Sequence, residues 1–268
     1  MLIIKVGGGK GIYYDTVCSD LAKLYHRGRS CLLVHGGSHE TNILSEKLGH
    51  PPRFVTSVSG HTSRYTDRHT LEIFLMATAL LNRQLVAHLQ SVGVNSAGTS
   101  GLDGQLLVAD RKSTLRIVEN GKRKILRDDN TGRIRQVNPE PLQAMLDCGL
   151  TPVVAPVAIS PYGEPLNIDG DRAAAQIATA LGAEILLILS NVPGLLNDVT
   201  DESSCIPHLA AADLENAIKT LAKGRMKRKL IGCSEALQGG VSQVILADGR
   251  TSKPIERALQ GLGTTING

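Results

Sequence analysis

Two short apolar runs, each broken by paired glycines and each followed by a helical pattern, lie within the first forty residues of this 268-residue chain. Leu2 to Val6 ends in Gly7-Gly8-Gly9, and Cys31 to Val34 ends in His35-Gly36-Gly37-Ser38. Between them, Tyr14 to Arg27 places apolar residues at 17, 18, 21, 22, 24 and 25, which is a helical period, and closes at Gly28. Glu40 to Leu48 reads as a second helix. Strand, turn and helix signals keep alternating down the chain: a long helix from about Asp67 to Val92, strands at Thr151 to Ala155 and Glu184 to Leu189 on either side of an alanine-rich helix, a helix from Gly224 to Leu237, a strand from Val241 to Ala247, and a helix after Pro254. The expected fold class is α/β, a three-layer αβα sandwich around a central, mostly parallel sheet. Pro51 to Thr66 reads as irregular. From Gly101 to Arg135, the runs Leu106–Val108, Leu115–Val118 and Lys124–Leu126, with the turn signal Glu119-Asn120-Gly121, predict a small antiparallel excursion.

Lys5 is out of place in a buried strand unless it faces an anion, and open α/β sheets place ligands at the C-terminal ends of their strands. The glycine turns fit that reading, because peptide N–H groups at a helix start cradle anions; Gly8, Gly36 and Gly37 are the candidates. Neither turn is a known nucleotide signature. Lys10 is followed by Gly11 rather than Ser or Thr, which excludes a P-loop, and position 12 is Ile12, which breaks a dinucleotide fingerprint. Further on, Asn167, Asp169 and Asp171 alternate like calcium ligands, but with Gly170 fourth and Ala178 twelfth the spacing fails for an EF-hand. The stretch reads instead as a loop leading into a helix, with Asp171 in its first turn. Arg64 sits just ahead of another helix start, where its planar fork suits a carboxylate.

Aromatic residues make up 3% of the chain and tryptophan is absent, so stacking platforms for nucleic acid are not expected. No apolar run reaches membrane-spanning length and no signal peptide opens the chain, so the expected setting is cytoplasmic. The five cysteines are scattered without a Cys-x-x-Cys pair, and no metal site is expected. The net charge of +4 is uneven: residues 111–135 sum to +6 and residues 223–229 to +5, which leaves the remainder at −7. Two basic segments on an otherwise acidic chain point to an anionic partner.

Taken together, these residues resemble the amino acid kinase family, and within it the kinases that phosphorylate an amino acid tethered to a small carrier protein. The marks run the whole chain: Lys5-Val6-Gly7-Gly8, His35-Gly36-Gly37, Ser63-Arg64-Tyr65-Thr66-Asp67, Ser100 to Gly104, Asn130-Thr131-Gly132, Asn167 to Asp171, Leu189 to Leu195, and Gly224-Arg225-Met226-Lys227-Arg228-Lys229. The resemblance implies one amino acid kinase domain over 1–268, with an acceptor-binding lobe over about 1–165 and a nucleotide-binding lobe over about 166–268. It implies attack of a side-chain carboxylate, of 2-aminoadipate or glutamate, on the γ-phosphate of ATP accompanied by Mg2+. Lys5, Lys229 and Asp171 would be catalytic, with Gly8, Gly36 and Gly37 cradling the phosphoryl group and, for the two latter, also the substrate. Arg64 and Asn167 would bind the acceptor, and Ser190, Asn191, Gly194 and Met226 the nucleotide. Lys122, Arg123 and Lys124 are the expected docking residues for an acidic carrier. A kinase acting on free N-acetylglutamate, and a non-catalytic nucleotide-binding regulator, are the competing readings. Because the chain begins on its first strand, a homodimer without arginine feedback is expected.

Overall fold

The computed structural model describes residues 1–268 apart from Ser59, His61, Ser113, Asn120 and Lys223, and apart from the side chain of Arg225. Asn120 of the predicted hairpin turn and Lys223 of the second basic segment therefore lie outside the described residues. In chain order the first half holds β1 (Leu2–Val6), α1 (Tyr14–His26), β2 (Cys31–His35), α2 (Ser38–Lys47), β3 (Phe54–Ser57), β4 (Thr62–Arg64), α3 (Arg68–Ser91), β5 (Ser96–Gly101), β6 (Leu107–Arg111), β7 (Leu115–Glu119), β8 (Lys122–Leu126) and β9 (Gly132–Val137). The second half holds α4 (Glu140–Asp147), β10 (Thr151–Ile159), β11 (Pro165–Asn167), α5 (Gly170–Ala180), β12 (Ile185–Ser190), β13 (His208–Ala210), α6 (Leu214–Thr220), α7 (Gly224–Gln238), β14 (Gln243–Asp248), α8 (Pro254–Leu259) and β15 (Thr264–Asn267).

The main sheet runs β13-β15-β14-β12-β1-β2-β10-β6-β9, with β5 and β11 also paired to β10. Its centre, β14-β12-β1-β2-β10, is parallel, and antiparallel pairs enter with β15, β9 and β11, so the sheet is mixed. Successive side chains of a strand point to opposite faces, and β1 shows the consequence. Leu2, Ile4 and Val6 enter a core built with Val17, Leu21, Leu81, Leu85 and Ile255 from α1, α3 and α8. Ile3 enters the core on the other face, built with the alanines of α5 and with Leu230, Cys233 and Ala236 of α7. Helices thus cover both faces, as the αβα expectation requires.

Two segments depart from their expected form. Pro51 to Thr66 is not irregular: β3 and β4 form a hairpin that joins β7 and β8 in a separate four-stranded sheet, ordered β4-β3-β7-β8. Strands of four and three residues carry too short a pattern to reveal themselves, and they are held by a partner some sixty residues away. The predicted Leu106–Val108 strand leaves the excursion and enters the main sheet as β6, against β9 and β10.

Candidate active site

Lys5 shares its face of β1 with Ile3, and so points toward α5. Asp169 sits at the N-cap of that helix, its carboxylate accepting from the N–H groups of Asp171 (3.0 Å) and Arg172 (3.2 Å). The cap fixes Asp171 in the first turn, and the buried alanines behind it seat the helix closely on the sheet. On the facing helix α7, the buried Leu230, Cys233 and Ala236 set the phase that turns Lys229 toward Asp171.

The Asp171 carboxylate lies between two lysines, 2.5 Å from Lys5 Nζ and 3.1 Å from Lys229 Nζ. Lys5 is 5% exposed and Asp171 8% exposed. Burial alone would raise the Asp171 pKa, but Lys229 and Lys5 outweigh it and hold the carboxyl well below the usual carboxylate range. Burial pulls the Lys5 ammonium down, Asp171 acts against that pull, and Lys229 adds to it. Two ammonium groups share one carboxylate, so the cluster keeps an excess positive charge, and an anion seated beside it would restore what burial removes.

Beside Lys5 the two glycine turns press backbone against backbone. A Cβ on Gly8 would lie 2.3 Å from the Gly37 nitrogen, and one on Gly36 would lie 2.4 Å from the Gly8 nitrogen. His39 N–H donates to the Gly8 carbonyl at 2.8 Å, which locks α2 to the first turn. The expectation that Gly8, Gly36 and Gly37 all donate to a ligand changes in one respect. Gly36 N–H is spent on the Val6 carbonyl at 2.9 Å, so its glycine character answers to the close approach of the turns. Among the described residues the Gly8 and Gly37 N–H groups make no hydrogen bond within the chain, and they stay available.

Behind the turns, the His35 ring accepts from or donates to two neighbours, Nδ1 lying 2.6 Å from the Gly36 carbonyl and Nε2 3.2 Å from Asn82 Nδ2. A carbonyl can only accept, so Nδ1 carries the proton and Nε2 accepts from Asn82. Burial, opposed by the Gly36 hydrogen bond and aided by Lys5, lowers the His35 pKa to about 4.

Arg64 ends β4 buried, with Nη2 donating to the Ser38 carbonyl (3.0 Å) and to Asn42 Oδ1 (2.5 Å), and with its guanidinium 5.1 Å from the Phe54 ring centre. It is thereby pinned to the start of α2. Asn167 ends β11, its Nδ2 donating to Thr66 Oγ1 at 3.0 Å. Composition gave Asp129 no role beyond its charge, yet it is fully buried. It accepts from Thr66 N–H at 3.0 Å and from the Thr131 hydroxyl, while Asn130 is bonded to Thr66 and Asn167 through its backbone. Asp129 therefore holds the residue that holds Asn167. The motif Asn130-Thr131-Gly132 was the available signal for it.

Ser190 closes β12 beside the first glycine turn, where Gly7 N–H donates to Leu189 at 2.9 Å, and the Asn191 side chain faces Gly9. Gly194 is drawn into packing: a Cβ there would lie 2.6 Å from Thr264 Oγ1 and 2.9 Å from Cys205 Sγ. Met226 lies in the first turn of α7, three residues before Lys229. The basic strand divides. Arg123 stands opposite Val118 and shares its face with Arg116 and Ile125, whereas Lys122 and Lys124 stand opposite Glu119 and Ile117 on the other face. Lys124 is paired with Glu119 at 2.5 Å, so the three expected docking residues do not form one surface.

Residues 1–248 match the profile of the amino acid kinase family. The chain is 52% identical over 268 residues to a protein of Deinococcus radiodurans named [LysW]-aminoadipate kinase, covering all of this chain and 91% of that one. It is 50% identical over 268 residues to the protein of the same name from Thermus thermophilus, covering 99% of this chain and 100% of that one. Among solved structures, an N-acetylglutamate synthase from Neisseria gonorrhoeae superposes with a TM-score of 0.80 at 23% identity, covering 100% of this chain and 59% of that longer one.

Proposed function

The chain belongs to the amino acid kinase family, and from that membership we propose that it transfers the γ-phosphoryl group of ATP to the side-chain carboxylate of 2-aminoadipate, or of the shorter glutamate, carried on a small acidic protein in lysine biosynthesis. The observation that carries the reading is the buried Asp171 shared by Lys5 and Lys229 beside the open N–H groups of Gly8 and Gly37. A carboxylate oxygen of the acceptor attacks the γ-phosphorus. The bond from that phosphorus to the β-phosphate oxygen breaks, its electrons leave with ADP, and an acyl phosphate remains. The acceptor is ionised at neutral pH, so no general base is needed, and catalysis consists of positioning and charge neutralisation. In this assignment Lys5 and Lys229 neutralise the transferring and leaving phosphates, Asp171 holds both lysines in place, and Gly8 and Gly37 donate to the phosphoryl oxygens.

Thr66 Oγ1 donates to the Arg64 carbonyl at 3.3 Å, so it receives the Asn167 amide, and the Asn167 carbonyl is left as an acceptor. That suits the N–H of an acylated amino group, with Arg64 assigned to the carboxylate of the same substrate. Ser190, Asn191, Gly194 and Met226 are assigned to the nucleotide, which divides the chain at about residue 165 into acceptor and nucleotide lobes. Mg2+ is proposed to come with the nucleotide: the described residues gather no group of three His, Cys, Asp or Glu that could hold it, and Asp171 is already engaged by two lysines. Carrier docking is assigned to the sheet face bearing Arg116 and Arg123 with the exposed Phe54, Val118 and Ile125. That face runs from the rim inward, since Phe54 stands opposite Arg64. Homodimer formation through α3, where Met76 and Leu80 are 50% and 61% exposed one turn apart, and a cytoplasmic setting complete the proposal. No helix among the described residues is long and apolar enough to cross a membrane.

Trapping the product with hydroxylamine tests the reaction. With Mg-ATP, the carrier-tethered acid is expected to give a hydroxamate, and Lys229→Ala is expected to lower kcat by about two to three orders of magnitude. Turnover confined to free N-acetylglutamate would overturn the carrier assignment. ATP binding without turnover of either acceptor would leave a regulator.

A further inference from the structure

Three ion pairs join the start of α5 to α7: Asp169 to Arg228 at 3.7 Å, Asp171 to Lys229 at 3.1 Å, and Arg172 to Glu235 at 2.5 Å. The first differs from the others in where it leads. Arg228 Nη2 also donates to the Thr62 carbonyl at 2.8 Å, across 166 residues of sequence. Thr62 opens β4, and two residues later β4 ends in Arg64. One guanidinium is therefore hydrogen-bonded to the strand that carries Arg64 and ion-paired with the N-cap of the helix that carries Asp171, and it belongs to the chain neighbour of Lys229.

The divided use of Asp169 strengthens the link. Its Oδ1 is committed to the N–H groups of Asp171 and Arg172, and its Oδ2 faces Arg228 Nη1. The contact to Thr62 is made to a backbone oxygen, so it follows the strand itself rather than the rotamer of a side chain. Arg228 points outward to the small sheet while Lys229, the next residue round the helix, points inward to Asp171. A shift of the β3–β4 hairpin is in this way transmitted to the turn of α7 that aims Lys229, and misplacements of about 1 Å at a reacting group can cost 100-fold in rate.

We infer that Arg228 is a positioning residue that ties the strand carrying Arg64 to the helical turn carrying Lys229, so that seating the acceptor and aiming Lys229 are one event. The inference rests on the kinase reading above. It is tested on the full chain with the hydroxylamine assay, by measuring kcat, the KM values for ATP and for the carrier-tethered acid, and thermal melting. Arg228→Met keeps the apolar stem and loses both contacts. Asp169→Asn keeps the cap, since asparagine caps as well as aspartate, and removes the charge facing Arg228. Arg228→Met is expected to lower kcat about 10- to 100-fold with the KM for ATP within about twofold of wild type and the melting temperature little changed. Asp169→Asn is expected to lose less, and the double variant to be no worse than Arg228→Met, the non-additivity of residues acting as one unit. A kcat within about twofold of wild type in Arg228→Met, a rise in the KM for ATP that matches the fall in kcat, or additive losses in the double variant would each overturn the inference. A wild-type protein that forms no hydroxamate would strike the kinase reading instead.

Discussion

His35 shows how one buried side chain can set a pH limit on the whole fold. It stays neutral in the folded chain with a pKa of about 4, against an ordinary value of 6.5, because burial disfavours its charged form. The folded pKa is depressed, so the stability it contributes is complete above about pH 6.5 and is withdrawn as the pH falls from there toward 4, on the order of 3 kcal/mol in all. Asp171, also depressed, is withdrawn in a lower window, below the ordinary carboxylate range. Urea midpoints measured between pH 7 and 5 are therefore expected to fall less steeply for His35→Asn than for the native chain. Equal slopes would show that His35 does not carry this pH dependence. Sequence reading located His35 through its glycines. It had no means to see Asn82, a polar residue inside an apolar helix that approaches only when α3 packs on β10.

At the level of elements, the long and strongly patterned segments were legible and the short ones were not. β1, β2, α1, α3 and β12 carry their burial in their own sequence, as continuous apolar runs or helical spacing. β4 becomes a strand by pairing with β3, which is itself anchored by pairing with β7, and Asp129 becomes a positioning group only when Thr66 is brought to it from 63 residues away. In the sequence Asp169 and Asp171 both suit a helix start, and the choice between cap and first turn is made by the backbone angle, extended at Asp169. The basic excursion reads as one patch along the sequence, whereas strand alternation divides it. That division makes a prediction: Arg116→Glu with Arg123→Glu is expected to raise the KM for the carrier-tethered acid at least tenfold, an effect that shrinks in high salt, with the KM for ATP unchanged. Lys122→Glu with Lys124→Glu is expected to do less, and the reverse ranking would place docking on the opposite face.

Over the whole molecule, two cores lie on either side of one sheet, and the cluster of Lys5, Asp171 and Lys229 stands near the C-terminal end of the central strand β1. The α1/α3/α8 layer leaves Met76 and Leu80 uncovered on α3, and that layer is where a second copy would add apolar burial. Leu80→Arg is accordingly expected to convert a dimer to a monomer in sedimentation or light scattering while the melting transition of the subunit persists. A native chain that sediments as a monomer, or a variant that remains dimeric, would remove α3 from the interface. The interlocked turns at Gly8, Gly36 and Gly37 carry a different consequence, for how such an enzyme can change over time. In the proposed assignment these turns are the floor under the phosphoryl group: a side chain on Gly8 or Gly36 would strike backbone and one on Gly37 would strike Thr78, so mutation of the three glycines has little to vary. On that assignment, new acceptors are expected to arise from changes in the walls, at the small sheet, at Asn167 and at the residues that brace it, with the phosphate chemistry beneath inherited unaltered. An engineer seeking another carrier or a longer acid would begin at those walls and leave the floor as it stands.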